Sequence, residues 1–527
     1  MALCGAHAPD WAPALSTSQP PPSLHVPTWA RRHAGESDGE AEAPTLAAVA
    51  VALLGLVLRF WGLGKESIWL DEVTSVIIAR MDLPSVIAWA AGDIHPPLYY
   101  MVLHFWLAWG ESEFAVRSLS AALGVLTILV LYGLAAELFG RRVGLVAALF
   151  LALSPLHIWY SQETRMYVML TSLVLMSSYL MVLALRRQQP RYWLGYVVIS
   201  ALALYTHYFA LFGLLFQNAF AAYWLWKNDR RAWQRWIWAQ LAIAVLFSPW
   251  LPTLYHQVTT GGGGWVEKSI GQPTLYTLFD TWLYFSIGLD NQLYPVLLRR
   301  ASYLLFALAV VSAVFSALQP RGPDRVRRER EGLWFCLLYL CLPVGTVWLV
   351  SQLKPMYSVR YLLAFMPPYC ILLAKGLISL RWKTVAAVLT LFLALTMLIG
   401  NWNAWRTDQN PDWRGLTSYV LEQAQALDVV LFSPRWNAKP FEYYSHGRVN
   451  INMDLPIPVS TAAVEAVIGD ISGRYQRVWL VWTRGHYSDP DGLVKQRLDQ
   501  QYQAITEQGF RGVDRLILYD LRAEGPP

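Results

Sequence analysis

The sequence predicts a polytopic α-helical membrane protein, and three observations carry that prediction. Apolar runs of bilayer-spanning length recur from about residue 45 to residue 400. Charged residues make up 15% of the 527 positions, against about 25% in soluble domains, and mean hydropathy is +0.32. Lysines and arginines collect in alternate short connections between the runs, the pattern that the positive-inside rule produces. A membrane barrel would show short alternating segments instead.

Residues 1–44 are rich in Pro, Ala, Ser and His and lack the apolar core of a signal peptide. They are expected to be a disordered cytoplasmic tail. The first span covers Pro44 to Leu63. A long outer loop follows, up to about Arg117, with short amphipathic helices expected over 72–81 and 84–91. Asp82 with Pro84 is a helix-start signal. Pro96-Pro97 breaks the chain before a third helical piece, Leu98 to Trp109. Half-apolar helices in such a loop are expected to lie in the membrane interface.

Further spans are expected at about 116–138, 143–160, 166–185, 192–206, 208–226, 236–254, 301–319, 333–352, 360–379 and 384–400, about eleven with the first. Sixteen basic residues occupy the short connections around Arg141, Arg186, Arg230, Arg327 and Arg381, and the intervening loops hold fewer over a greater length. The N-terminus is therefore expected in the cytoplasm, with the first long loop and the C-terminus outside, in a multi-pass cell (inner or plasma) membrane protein. The outer loop at 255–300 holds Gly261–Gly264 and Trp265, which suit a mobile flap or a surface linker equally.

From Asn401 the charges return. Val429–Phe432, Arg477–Trp482 and Leu516–Tyr519 read as buried strands, separated by helical stretches such as 413–426 and 491–508. A soluble extracytoplasmic α/β domain over 401–527 fits. Cys336, Cys341 and Cys370 lie in apolar runs and are expected to be buried free thiols; Cys4 is in the tail.

Four outer-side loops could carry chemistry, the first of them with two segments. Asp71 and Glu72 stand side by side after the first span, where adjacent carboxylates are costly to keep dry. A carboxylate there can take the proton of an attacking hydroxyl or amine; Asp71 can equally serve as a helix N-cap. His95, in His95-Pro96-Pro97, could pair with a phosphate or bind a metal, and read alone is a loop histidine beside a rigid turn. Between two spans, Arg165 offers a planar fork for phosphate oxygens and Glu163 could orient it; the alternative is a local ion pair anchoring a helical hairpin. His207 could line a cavity or be structural. Lys354, Tyr357, Arg360 and Tyr361 begin a later span, where they could hold an anionic headgroup or act as interfacial anchors. The net charge of +6 is small for this length and gives no case for nucleic acid. No Walker loop, dinucleotide fingerprint or serine-hydrolase elbow is present.

The segments Trp69-Leu-Asp-Glu72, His95-Pro-Pro-Leu-Tyr99, Tyr160-Ser-Gln-Glu-Thr-Arg-Met-Tyr167, Tyr205-Thr-His-Tyr208 and Arg360-Tyr-Leu-Leu363 resemble bacterial glycosyltransferase family 39-like membrane proteins. Those are relatives of the protein O-mannosyltransferases and of the aminoarabinose transferase that acts on lipid A. The resemblance spans about residues 45–415. It implies a glycosyltransferase C fold and a polyprenyl-phosphate-linked sugar as donor. By the same resemblance Asp71 matches the family's catalytic acid and Glu72 its usual companion, and Arg165 and Arg360 match phosphate contacts by position. Where aminoarabinose transferases carry a Glu-Lys pair before the Pro-Pro motif, this chain has Ile94-His95.

The reading is a membrane glycosyltransferase that moves a hexose or pentose from a polyprenyl phosphate to a lipid, glycan or protein acceptor outside the cytoplasm. Asp71, Glu72 and Glu163 are its catalytic candidates. His95, Arg165, His207, Lys354, Tyr357, Arg360 and Tyr361 are its substrate-binding candidates. No cofactor is required, and a divalent metal is admitted without being indicated. The rival is a transporter or flippase of lipid-linked sugars, expected to carry ionisable groups at mid-span and a repeat relating its halves. Here the charges sit at span ends.

Overall fold

The computed structural model describes residues 42–260, 271–289, 291–319, 323–483 and 489–524. The chain divides into two compact units, Met1–Leu46 and Ala47–Pro527, and the architecture below is that of the second. The tail up to residue 41 and the Gly261–Gly264 run with Trp265 lie outside the described residues.

Helix α1 (Glu42–Phe60) is followed by three short helices, α2 (Leu70–Ala79), α3 (Leu83–Gly92) and α4 (Leu98–Trp106). Asp82 caps α3 by accepting the Ser85 N–H at 2.8 Å, with Pro84 in the first turn. A helical bundle comes next: α5 (Glu113–Phe139), α6 (Arg141–Leu153), α7 (Pro155–Ser161), α8 (Tyr167–Arg187), α9 (Pro190–Thr206), α10 (Ala210–Asn228), α11 (Trp233–Phe247) and α12 (Leu251–Thr260). It continues with α13 (Leu275–Ile287), α14 (Val296–Leu318), α15 (Pro323–Val350), α16 (Val359–Leu362), α17 (Pro367–Ile378) and α18 (Lys383–Arg406).

Among the described residues six helices are long and apolar enough to cross a membrane: Glu113–Phe139, Tyr167–Arg187, Trp233–Thr260, Val296–Leu318, Val326–Val350 and Lys383–Arg406. Two pairs broken before a proline, α6–α7 at 61° and Val359–Phe365 with Pro367–Ile378 at 54°, bring the number to eight if each is one span. The sequence predicts eleven. The regions of α1, α9 and α10 stand outside the set; the 17 residues of α9 reach about 26 Å, short of a hydrocarbon core about 30 Å thick. Cys336 and Cys370 are buried, but Cys341 is exposed, against expectation, because it sits on the outward flank of α15.

One end of the bundle gathers the basic connections. Glu137 near the end of α5 receives Arg186 at 3.1 Å and Arg187 at 2.9 Å, and its backbone carbonyl accepts from Arg328 of α15 at 3.0 Å. Arg235 donates to Gln188 at 2.8 Å, and Lys375 pairs with Glu329 at 3.3 Å.

The C-terminal region runs α19 (Trp413–Gln423), β1 (Asp428–Ser433), α20 (Ala438–Ser445), β2 (Asn450–Asn452), α21 (Thr461–Arg474), β3 (Arg477–Trp482), α22 (Leu493–Gln501), β4 (Tyr502–Phe510) and β5 (Val513–Glu524). The sheet order is β2-β1-β3-β5-β4. β1 is parallel to β2 and β3, while β5 is antiparallel to β3 and β4. Alternate residues of β1 and β3 enter two apolar clusters, Val429, Leu431, Val478 and Leu480 on one face, Val430, Phe432, Trp479 and Val481 on the other. Burial on both faces is why these strands read as unbroken apolar runs. The expected helix over 491–508 needs correction: it ends at Gln501, and 502–510 form β4, an edge strand whose mostly exposed residues carry no apolar signal.

Candidate active site

The first turn of α2 organises the site. Trp69 is the N-cap, so Asp71 is the second helical residue and not the cap that the sequence allowed. Successive residues of a helix point about 100° apart, and Asp71 and Glu72 accordingly meet different surroundings.

Glu72 turns inward and is 1% exposed. Its Oε1 accepts from Arg117 Nε at 2.8 Å and from the Thr164 N–H at 2.9 Å. Its Oε2 accepts from Arg117 Nη2 at 2.6 Å and from the Trp69 N–H at 3.4 Å. Arg117 also donates to the carbonyls of Leu63, Glu66 and Ser67 at 2.9–3.1 Å. One bidentate pair thus ties α2, the chain leaving α1, the start of α5 and the link between α7 and α8. This leaves Glu72, expected as a catalytic acid, with its carboxylate occupied on both oxygens.

Asp71 keeps an open side. Its side chain is 26% exposed, and Oδ2 lies 3.4 Å from Arg360 Nη1. The Asp71 carbonyl accepts from Arg165 Nη1 at 3.3 Å, and that nitrogen also reaches Ser75 Oγ at 3.1 Å. Arg165 Nε is buried without a partner among the described residues. Glu163 is buried beside these groups; burial pushes its carboxyl up to about 8, with Glu72 and Asp71 adding to the rise and Arg360 and Arg165 opposing it. At neutral pH Glu163 therefore keeps its proton.

Aromatic rings link this cluster to the two histidines. Arg165 lies over Tyr167 and Arg360 over Tyr361, each 5.9 Å from the ring centre. Tyr361 meets Tyr167 at 5.8 Å and His207 at 5.1 Å, and His207 meets His95 at 5.4 Å. Burial holds both imidazoles below their ordinary value, with Arg165 adding to the depression. In its neutral form His95 donates from Nδ1 to Asp93 Oδ2 at 3.1 Å, because a carboxylate can only accept. His207 Nδ1 accepts the Phe209 N–H at 3.1 Å, which puts its hydrogen on Nε2. The two rings so present one acceptor and one donor nitrogen.

Asp71, Glu72, Glu163, Arg165, His95, His207, Arg360 and Tyr361 are thus brought together. Tyr357 is not: its hydroxyl pairs with Thr281 of α13 at 2.8 Å. Lys354 lies in the turn after α15, its backbone N–H on Val350 at 3.0 Å. Sequence reasoning passed over Arg117, Asp93 and Ser75. An arginine at the head of an apolar span was itself a signal, since such a charge needs a partner. Among the described residues no three His, Cys, Asp or Glu side chains gather as a metal site.

The chain leading into α2 is also held from the C-terminal region. Glu66 accepts the N–H groups of Gln409 and Asn410 at 3.1 and 2.9 Å. The Ile68 N–H donates to the Tyr444 hydroxyl at 2.7 Å.

Comparison with known proteins bears on the fold. Residues 94–256 match the family described as dolichyl-phosphate-mannose-protein mannosyltransferase. No curated protein matches the chain. Among solved structures, ArnT from Cupriavidus metallidurans in the apo state superimposes with a TM-score of 0.60 at 13% identity, over 92% of this chain and 99% of that one. The same protein bound to undecaprenyl phosphate gives 0.57 at 12% identity, over the same shares of the two chains. The oligosaccharyltransferase AglB from Archaeoglobus fulgidus, in complex with an inhibitory peptide and a dolichol-phosphate, gives 0.56 at 12% identity over 90% of this chain and 75% of that one. The chain is thus a multi-pass membrane protein that shares the glycosyltransferase C fold of these structures, and its residues 94–256 are similar to the mannosyltransferase family.

Proposed function

We propose that the protein transfers a sugar from a polyprenyl-phosphate-linked donor to a lipid, glycan or protein acceptor on the extracytoplasmic side of the cell membrane. The observation that carries this reading is the unequal treatment of the acid pair. Asp71 alone keeps an open carboxylate, and the guanidiniums of Arg165 and Arg360 converge on the same residue. The undecaprenyl phosphate and dolichol-phosphate bound by the two similar structures support a polyprenyl donor.

In this mechanism Asp71 takes or orients the proton of the acceptor hydroxyl or amine. The acceptor attacks the anomeric carbon through an oxocarbenium-like state, with inversion, and the bond to the phosphate oxygen breaks. Arg165 and Arg360 stabilise the departing polyprenyl phosphate as its charge develops. Glu163 stays protonated and adds no negative charge against that phosphate. Glu72 acts as a positioning residue through Arg117, and His207 and Tyr361 wall the cleft.

The same proposal assigns eleven spans over 45–400, a first outer loop over 63–117 whose helices α2–α4 lie at the interface, a cytoplasmic tail over 1–44 and an extracytoplasmic α/β domain over 401–527. The basic end of the bundle then faces the cytoplasm. The test is mass spectrometry of products formed by purified protein from candidate polyprenyl-phosphate sugars and membrane extract. Asp71→Asn is expected to abolish product at an unchanged level of protein in the membrane. Turnover like that of the unmodified protein would remove Asp71 from the mechanism.

A further inference from the structure

A second site lies far from the acids. Arg117, which holds Glu72, and Glu137, at the basic end, stand twenty residues apart on α5, about 30 Å along a helix. Towards the basic end α14 and α17 cross closely. A Cβ on Gly376 would stand 1.7 Å from the Ala309 carbonyl oxygen, so only glycine permits the approach. Ser312 Oγ donates to the Gly376 carbonyl at 3.0 Å and holds the crossing.

Beside the crossing runs a cavity of about 450 Å³ between α14, α17 and α18, within the range of small-molecule sites. Its floor is Ala309, Leu377 and Leu393, all buried, and its walls include Leu308 and Val385, both exposed. At its mouth, in the link between α17 and α18, stand Arg381 and Trp382, both exposed; no carboxylate lines it. The Lys383 ammonium beside them donates to the carbonyls of Ile378 and Leu380 at 3.1 and 3.3 Å, which ties the link down.

We propose that this trough binds an anionic phospholipid, one acyl chain in the trough and the phosphate on the Arg381 guanidinium. An apolar cavity lined also by an exposed cation and an exposed indole is complementary to a lipid tail under an anionic headgroup. The polyprenyl donor is the poorer occupant. Its phosphate belongs with Arg165 and Arg360 at the opposite end, whereas the cation of the trough stands at the basic end. The site is independent of the transfer reaction.

Native mass spectrometry of the full-length protein tests this, with phosphatidylglycerol and phosphatidylethanolamine of identical acyl chains offered in detergent. One phosphatidylglycerol is expected to stay bound, with a preference of about fivefold from the single cation. Arg381→Gln should bring the preference close to one. Leu308→Trp, which fills the trough, should remove both lipids. Equal retention of the two lipids, an unchanged preference in Arg381→Gln, or displacement of phosphatidylglycerol by equimolar polyprenyl phosphate would overturn the proposal.

Discussion

Two acid–arginine pairs begin at adjacent residues of α2 and end in different surroundings. Glu72–Arg117 is almost entirely buried, bidentate and short, at 2.6 and 2.8 Å, with further donors on Glu72 and further acceptors around Arg117. Asp71–Arg360 is a single contact of 3.4 Å between side chains 26% and 30% exposed. A buried pair that is fully hydrogen-bonded holds structure together, because separating its partners strands a charge away from water. A loose, half-open pair contributes little to stability and leaves both groups free to meet a ligand. In the proposed mechanism the difference separates the acid that serves the scaffold from the acid that faces the reaction.

The largest expected effect is on the closed pair. Glu72→Ala leaves the Arg117 charge buried alone and should cost about 3–5 kcal/mol of stability, read as a lower Tm in detergent and less protein in the membrane. Asp71→Asn should leave Tm close to that of the unmodified protein. If both variants melt together, the contrast between the two pairs is lost.

Next comes the open pair. Arg360→Gln should lower kcat about 10²–10³-fold, as for the loss of one donor to a developing oxyanion, with Tm little changed. A rise in KM alone would make Arg360 a contact of the ground state only.

The smallest effect separates Glu163 from both pairs. Its proton is held more tightly in the folded protein, up to about 8 against an ordinary 4.5. The stability it contributes is complete below about pH 4.5 and is lost as the pH rises towards about 8. Glu163→Gln should therefore raise Tm by a few degrees at pH 9 relative to the unmodified protein and leave it nearly level at pH 4. A constant difference across that range would show that Glu163 does not change its protonation state.

Much of the bundle was readable from local pattern. The apolar runs and the Asp82 cap are properties of short stretches, whereas the bends before Pro155 and Pro367 fall inside the expected spans 143–160 and 360–379. The buried strands β1 and β3 announced themselves for the same reason, and the exposed edge strand β4 did not. The site was readable as a set of residue types at the ends of apolar runs, yet not as a geometry. Glu72 and Arg117 are 45 positions apart, and nothing in either neighbourhood names the other. Arg59 repeats the point. At the end of the apolar α1 it is fully buried, donating to the carbonyls of Leu151 and Ala152 at 3.0 and 3.1 Å and bonded to His157 at 2.9 Å, which supplies partners to the buried carbonyl end of α6 at its bend.

The sequence by itself determined that this chain is a helical membrane protein with paired acids after its first apolar helix, because hydropathy and charge placement act locally and survive any packing. Tertiary structure alone decided that Glu72 is locked while Asp71 stays open. That choice depends on the 100° turn between neighbours in α2 and on an arginine delivered from another helix, and partners of that kind are set only when the helices pack.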